Sequence, residues 1–227
     1  MNRGRLLIAL LVLTLIGTPG RAQFVKSVGI KIGTTFSNLT VSDITPVNIG
    51  GTAVVPAFPP YENVINPSIG VFADFLNLPV LNVQAEVSYS RGGGRFTYQI
   101  PYATVSNPDQ VHGLATYTSE IATHYLILSL GVQPRASVGD FVVYADLRPT
   151  LSYLAGMSNL LWMTDEITKV QLGYSGGVGV DVSSAIGRSL FIEFSYQGDS
   201  RSFYNFGDGK LWNHSWKMSV GTSLWAP

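Results

Sequence analysis

One segment narrows the fold more than any other. From Leu81 to Ser90, the apolar or aromatic residues Leu81, Val83, Ala85, Val87 and Tyr89 alternate without a break with Asn82, Gln84, Glu86, Ser88 and Ser90. A period of two is the signature of a β-strand that shows one face to an apolar environment and the other to a polar one. The pattern recurs along the chain. Val28, Ile30, Ile32, Thr34 and Phe36 oppose Gly29, Lys31, Gly33 and Thr35, and Ile69, Val71, Ala73 and Phe75 oppose Asp74. Phe141, Val143, Ala145 and Leu147 oppose Asp146 and Arg148. Val170, Leu172, Tyr174, Val178, Val180 and Val182 share a side, with Lys169, Gln171, Ser175 and Asp181 near or on the other. Leu190, Ile192, Phe194 and Tyr196 oppose Glu193, Ser195 and Gln197, and Trp216, Met218, Val220, Thr222 and Leu224 oppose Lys217, Ser219, Gly221 and Ser223. A segment over Thr116 to Val132 completes a set of eight, apolar on both faces near Leu126 to Leu130, so its inward side stays open.

The charges decide what the two faces meet. Only 12% of residues are charged, against roughly 25% in an average soluble domain. Lys31, Asp74, Glu86, Asp146, Arg148, Lys169, Glu193 and Lys217 all fall on or near the polar faces. A soluble lipocalin-like barrel would turn those charges to water and its apolar faces into a dry interior. Here the apolar faces suffice to coat a whole cylinder, which favours lipid outside and a polar lumen. The expected fold is therefore all-β, an eight-stranded antiparallel up-and-down transmembrane β-barrel. Eight strands leave an interior just wide enough for side chains. The eight charges are expected to form a lumen network, with Lys31, Arg148, Lys169 and Lys217 pairing with Asp74, Glu86, Asp146 and Glu193 into a plug.

Connection lengths alternate. Leu39 to Asn66 is long and proline-rich, Asn77 to Pro79 is a tight turn, Gly92 to Ala115 reads as a long polar loop, and Gln133 to Asp140 is short. Long and short connections on opposite sides are the habit of membrane barrels. With the N-terminus in the periplasm and an even strand number, the longer connections face outward. They carry Arg91, Arg95, Tyr98, Trp162, Phe203 and Tyr204, an expected surface-binding set. Tyrosines and tryptophans gather toward the strand ends as two girdles.

Arg3 and Arg5 precede an apolar stretch from Leu6 that reaches Ile16, followed by Gly17, Pro19, Gly20 and Ala22. An apolar part of about 11 residues is too short for a membrane-spanning helix and fits a secretory signal peptide. Residues 1–22 are read as that signal peptide, cleaved after Ala22, and residues 23–227 as the barrel domain. The exported chain then carries 11 basic against 14 acidic groups, which gives no support to nucleic-acid binding. Cysteine is absent, which removes disulfides, thiolate metal sites, a cysteine nucleophile and a lipidated N-terminal cysteine.

Several short segments together resemble the outer-membrane β-barrel domain proteins of Bacteroidetes, the PorT-like group. They are Gly29-Ile30-Lys31-Ile32-Gly33 with Phe36-Ser37-Asn38, Ser119-Glu120-Ile121, Pro149-Thr150-Leu151-Ser152-Tyr153-Leu154, Gly176-Gly177-Val178-Gly179-Val180 and the Ala22-Gln23 junction. Ala122 stands where that group places a proline after the Glu-Ile pair, and the chain ends Leu224-Trp225-Ala226-Pro227 rather than on phenylalanine. The resemblance implies a location in the cell outer membrane and insertion by the barrel-insertion machinery.

Chemistry is sparse. Ser119, Glu120 and His124 suggest a hydrolase constellation, but residues 120 and 124 on one strand lie about 13 Å apart. Arg91-Gly92-Gly93-Gly94-Arg95 offers a phosphate cradle, against the plainer reading of a flexible strand exit. Asp165 and Glu166 are too few for a calcium site. The expectation is a monomeric, non-enzymatic barrel with no catalytic residue, metal or cofactor. It would be structural or partner-binding through its loops, with a secretion or surface protein partner and outer-membrane lipid, including lipopolysaccharide, as its surroundings. The alternatives are a deacylase-like outer-membrane lipid-modifying enzyme and a soluble lipocalin-like barrel.

Overall fold

The computed structural model describes residues 25–42, 47–49, 52–54, 61–104, 107–158, 167–182, 190–202, 204–206 and 209–225. The expected signal peptide lies outside them, as do Asp165 and Glu166. Eight strands make one sheet: β1 (Ser27–Ser42), β2 (Val64–Leu78), β3 (Leu81–Thr104), β4 (Asn107–Val138), β5 (Phe141–Ser158), β6 (Val170–Asp181), β7 (Phe191–Asp199) and β8 (Gly209–Trp225). Each pairs antiparallel with its sequence neighbours, and β8 pairs with β1, which closes the ring. A short strand Tyr204–Phe206 folds back on β8, and Val47–Ile49 pairs with Thr52–Val54 between β1 and β2.

The ring is sheared. Partners run from Gly29 to Phe72, Glu86, Ser129, Thr150, Gly173 and Asp199. They continue to Asn213, beside the His214–Gly198 pair, and on to Leu39. The path comes back ten residues from its start. With about 3.3 Å per residue and about 4.8 Å between strands, that stagger tilts the strands by about 40°. Each residue then climbs about 2.5 Å along the barrel axis. On β5 the outward positions Val143, Ala145, Leu147, Pro149, Leu151 and Tyr153 are exposed; this apolar stripe with a tyrosine at its end spans about 25 Å, the height of a hydrocarbon band.

Burial is inverted relative to a soluble domain. Ile32, Ile65, Leu147, Leu172 and Val178 are each more than half exposed, while Lys31, Glu86, Asp146, Arg148 and Glu193 are at most 4% exposed. The sequence left the inward side of β4 open; the structure sends Tyr125, Ile127, Ser129, Gly131 and Gln133 inward and Leu126, Leu128, Leu130 and Val132 outward.

The connections split the barrel into two ends. At the turn end, Pro79–Val80 and Gly139–Asp140 are two-residue turns, and Gly139 supplies the positive φ of 59° that its turn requires. The rim end corrects the expected loop over Gly92 to Ala115. These residues are strand: β3 runs to Thr104 and β4 begins at Asn107, paired from Leu81–Pro134 up to Thr104–Asn107. Arg91 and Arg95 therefore sit on a wall and not on a loop. A strand that rises out of the membrane meets water on its outer side, so it loses the alternation that marks the spanning part.

Candidate functional site: the filled lumen and the outer wall

The inward positions of the strands build the lumen. At its centre Lys31 on β1 gives its three N–H groups to Gln84 Oε1 at 2.9 Å, Glu86 Oε2 at 2.9 Å and Glu193 Oε2 at 3.0 Å. Arg148 on β5 reaches the same partners, bonding Glu86 Oε2 through Nη1 and Gln84 and Glu193 through Nη2 at 3.0 and 3.2 Å, while its Nε is paired with Asp146. Lys217 on β8 closes the group on Glu86 Oε1 at 3.0 Å. Lys31, Arg148 and Lys217 thus balance Glu86, Glu193 and Asp146, and every ammonium proton of Lys31 is used. Buried ions are tolerable only when paired and hydrogen-bonded in this way.

An amide layer carries the network toward the turn end. Gln84 Nε2 donates to Asp74 Oδ1 at 2.9 Å, and Asn82 Nδ2 donates to Asp74 Oδ1 at 2.7 Å and to Gln133 Oε1 at 2.8 Å. The Ser27 hydroxyl takes the other Asp74 oxygen. Asp74 is therefore a lumen residue, but amides and a hydroxyl satisfy it where a cation was expected. Lys169 corrects the expectation outright. It lies just before β6, exposed, and takes no part in the network.

Beside the ions, Phe72, Tyr144 and Phe191 form a small apolar cluster. Lys31 Nζ stands 5.7 Å from the Phe72 ring and 5.3 Å from the Phe191 ring, a cation–π arrangement that uses the ring faces. Each ring lies over a glycine directly opposite on the next strand: Phe72 over Gly29, Tyr144 over Gly179 and Phe191 over Gly221. A Cβ on any of these glycines would overlap the ring. These aromatics were missed in the sequence because they are apolar residues on the polar face; the glycine across the ladder is the signal that finds them.

Toward the rim the filling changes. Leu39, Ile121 and Leu211 are buried together, with Val41, Tyr61, Phe96 and Met157 packed on them. Phe96 points inward and meets Tyr61 edge-on at 5.3 Å. Gly92 and Gly94 belong to this interior, where they leave space for Thr123 and Asn213 and for Leu39 and Tyr61.

The outer wall holds the remaining candidates. Arg91 Nη2 donates to Glu120 Oε1 at 3.0 Å and Arg95 Nη2 to Glu120 Oε2 at 3.2 Å. The Tyr89 hydroxyl and His124 Nδ1 are 2.6 Å apart, with stacked rings. Ser119, Glu120 and His124 thus do not assemble as a triad, since Glu120 faces arginines and His124 faces a tyrosine. Tyr98 and Tyr204 lie in paired strand at the rim end, and Trp162 and Phe203 lie outside the described residues. Among the described residues, no group of three or more His, Asp or Glu is placed to hold a metal ion.

A closed ring of eight antiparallel strands, charged within and apolar without, is a membrane-spanning β-barrel. The chain is similar in form to solved outer-membrane barrels. Neisserial surface protein A matches with a TM-score of 0.46 at 9% identity over 88% of this chain and 99% of that one. The outer membrane protease OmpT from Escherichia coli matches with 0.44 at 8% identity over 87% and 97%. The outer membrane protein OprG from Pseudomonas aeruginosa matches with 0.41 at 12% identity over 90% and 99%. No family model and no curated protein sequence matches the chain. Likeness this loose says nothing of activity, and the firmer guide is the barrel's own inverted polarity.

Proposed function

We propose that the chain is a small, monomeric, non-enzymatic barrel of the outer membrane, exported by residues 1–22, that conducts nothing and presents the β3–β4 wall to a protein partner outside the cell. The observation that carries this reading is the length of that wall. Beyond the level of His124, β4 continues to Asn107, about 55 Å of further strand, far more than a membrane crossing needs. Its partner strand β3 follows it along that length. A paired ribbon of this kind offers backbone edges well clear of lipid headgroups, where a secretion or surface protein can reach them. The segments similar to the PorT-like barrels of Bacteroidetes suit the same placement. What supports the non-enzymatic reading is that Glu120 and His124 are engaged elsewhere.

The test is topological and electrical. The folded protein is expected to stay in the membrane pellet after carbonate extraction and to run faster unheated than heated. A tag inserted beside Asn107 is expected to stain on intact cells, and one beside Ala136 only after permeabilisation. In a planar bilayer the purified protein is expected to show no steady open channel. Recovery in the soluble periplasm, staining at Ala136 on intact cells, or a large ion-selective conductance overturns the reading. Shortening the β3–β4 ribbon should abolish partner crosslinking while the heat-modifiable band persists.

A further inference from the structure

The outer wall carries two tyrosine–histidine pairs of the same construction, half a turn of the barrel apart. Tyr89 on β3 stacks on His124 of β4, and Tyr196 on β7 stacks on His214 of β8, with hydroxyl to Nδ1 distances of 2.6 and 2.9 Å. In each pair the histidine lies two residues from the tyrosine's direct partner, Leu126 in one case and Trp216 in the other. Such rings with polar tips belong at the headgroup level. The ladder across from the histidines separates the two walls: His214 faces Gly198, but His124 faces Arg91.

Arg91 is the first residue of an alternation that explains the whole Arg-Gly-Gly-Gly-Arg run. Ser90, Gly92 and Gly94 are buried toward the lumen, while Arg91 and Arg95 face outward with side chains 39% and 48% exposed. Between them Gly93 is buried as well, with a φ of 131°, and a Cβ there would collide with the Ile121 carbonyl of the neighbouring strand. Two guanidinium groups therefore stand on the outer wall with no side chain between them, Arg91 level with His124 and Arg95 across from Glu120. One carboxylate, Glu120, holds one N–H of each, and the trio keeps a net positive charge. Arg91 Nε is buried without a partner. An arginine facing lipid near the interface is costly unless an anion meets it. Guanidinium forks match phosphate oxygens in geometry and charge.

From these observations we propose that Arg91 and Arg95, backed by the Tyr89–His124 pair, form a binding site for the phosphate of a phosphorylated outer-leaflet glycolipid. The site rests on the barrel's proposed placement in the outer membrane. It fixes the barrel against specific headgroups on one side, the side from which the β3–β4 ribbon rises. Glu120 is a competing anion within the site, so its removal strengthens lipid binding.

The test uses the full-length folded protein in phosphatidylcholine nanodiscs, titrated with bis-phosphorylated lipid A, with the same lipid stripped of phosphate, and with inorganic phosphate as competitor. Binding of lipid A is expected to be at least tenfold tighter than that of the stripped lipid. The double variant R91Q/R95Q should lose that tenfold preference, R201Q/K210Q should keep it within twofold, and E120Q should raise affinity several-fold, a gain that misfolding does not imitate. Retained preference in R91Q/R95Q, an equal loss in R201Q/K210Q, or no gain in E120Q overturns the site. Displacement of lipid A by millimolar inorganic phosphate also overturns it, since the ligand would then be the free anion. Loss of the heat-modifiable band in the unaltered protein would instead defeat the membrane reading itself.

Discussion

The two halves of the lumen are filled by opposite means. Near the turn end, Lys31, Arg148 and Lys217 meet Glu86, Glu193 and Asp146 in direct contact, and Gln84, Asn82 and Gln133 extend the bonding to Asp74. Nearer the rim, Asn66, Ser68, Thr150, Ser152 and Asn213 are also buried, yet each has a polar side-chain atom without a protein partner. Above them the interior turns apolar at Leu39, Ile121 and Leu211. The lower half is held by an ionic plug, although Asn82 Oδ1 and Ser219 Oγ there are also without a protein partner. In the upper half, isolated hydroxyls and amides, of the kind satisfied by ordered water, lie beneath a greasy cap. A charge tolerates burial only with a fixed opposite charge, whereas a hydroxyl accepts whatever lies near it, so the two halves should respond very differently to substitution.

The sharpest break of this comparison is Glu86→Gln. Glu86 alone touches Lys31, Arg148 and Lys217, so neutralising it leaves excess positive charge buried. The expected loss is about 3 to 5 kcal/mol, read as a lower urea midpoint for unfolding from lipid vesicles, followed by tryptophan fluorescence. A change under about 1 kcal/mol would mean that the plug is wet and that the two halves are alike.

Leu211→Ala tests the cap by a different mechanism. Leu211 is 1% exposed among Leu39 and Ile121, and the cavity left by its truncation should cost on the order of 3 kcal/mol. Because the ionic plug lies below, the variant should still show no steady conductance. A stable open channel in Leu211→Ala would show that the cap, and not the charge cluster, seals the barrel.

Gly221→Ala probes the lower half without touching a charge. The added methyl meets the Phe191 ring, which itself packs against Phe72 and lies 5.3 Å from Lys31 Nζ. Overpacking of this kind should cost about 1 to 3 kcal/mol, and Phe191→Leu in the same chain should recover part of it. Failure of that rescue would separate the glycine from the ring.

Much of this contrast was legible in the residue order. Alternation identified Lys31, Glu86, Asp146, Arg148, Glu193 and Lys217 as lumen-facing because each lies inside a spanning strand, where one face must meet lipid. Lys169 misled because it precedes β6, and beyond the strand the parity of a position no longer fixes its side. The run from Gly92 to Ala115 read as loop for a related reason. Beyond the spanning part the outer side of the strand meets water instead of lipid, so a polar segment has no periodic contrast to display. Phe72, Tyr144 and Phe191 were invisible to a one-strand reading, since what makes an inward aromatic fit is a glycine on the neighbouring strand.

The smallest expected effect is the most discriminating for the upper half. Ser152 is 1% exposed, and its hydroxyl has no protein partner. If burial alone determined the cost of losing a polar group, Ser152→Ala would resemble Glu86→Gln. The hydroxyl, however, carries no net charge, and its removal orphans no other protein group. The expected change is under about 1 kcal/mol in either direction. The same urea titration that reports Glu86→Gln resolves it, and the pair Ser152→Ala with Thr150→Val should be additive, because neither side chain bonds the other. A loss above about 2 kcal/mol, or strong coupling between the two, would show that the rim half is held by a polar network as rigid as the plug below it.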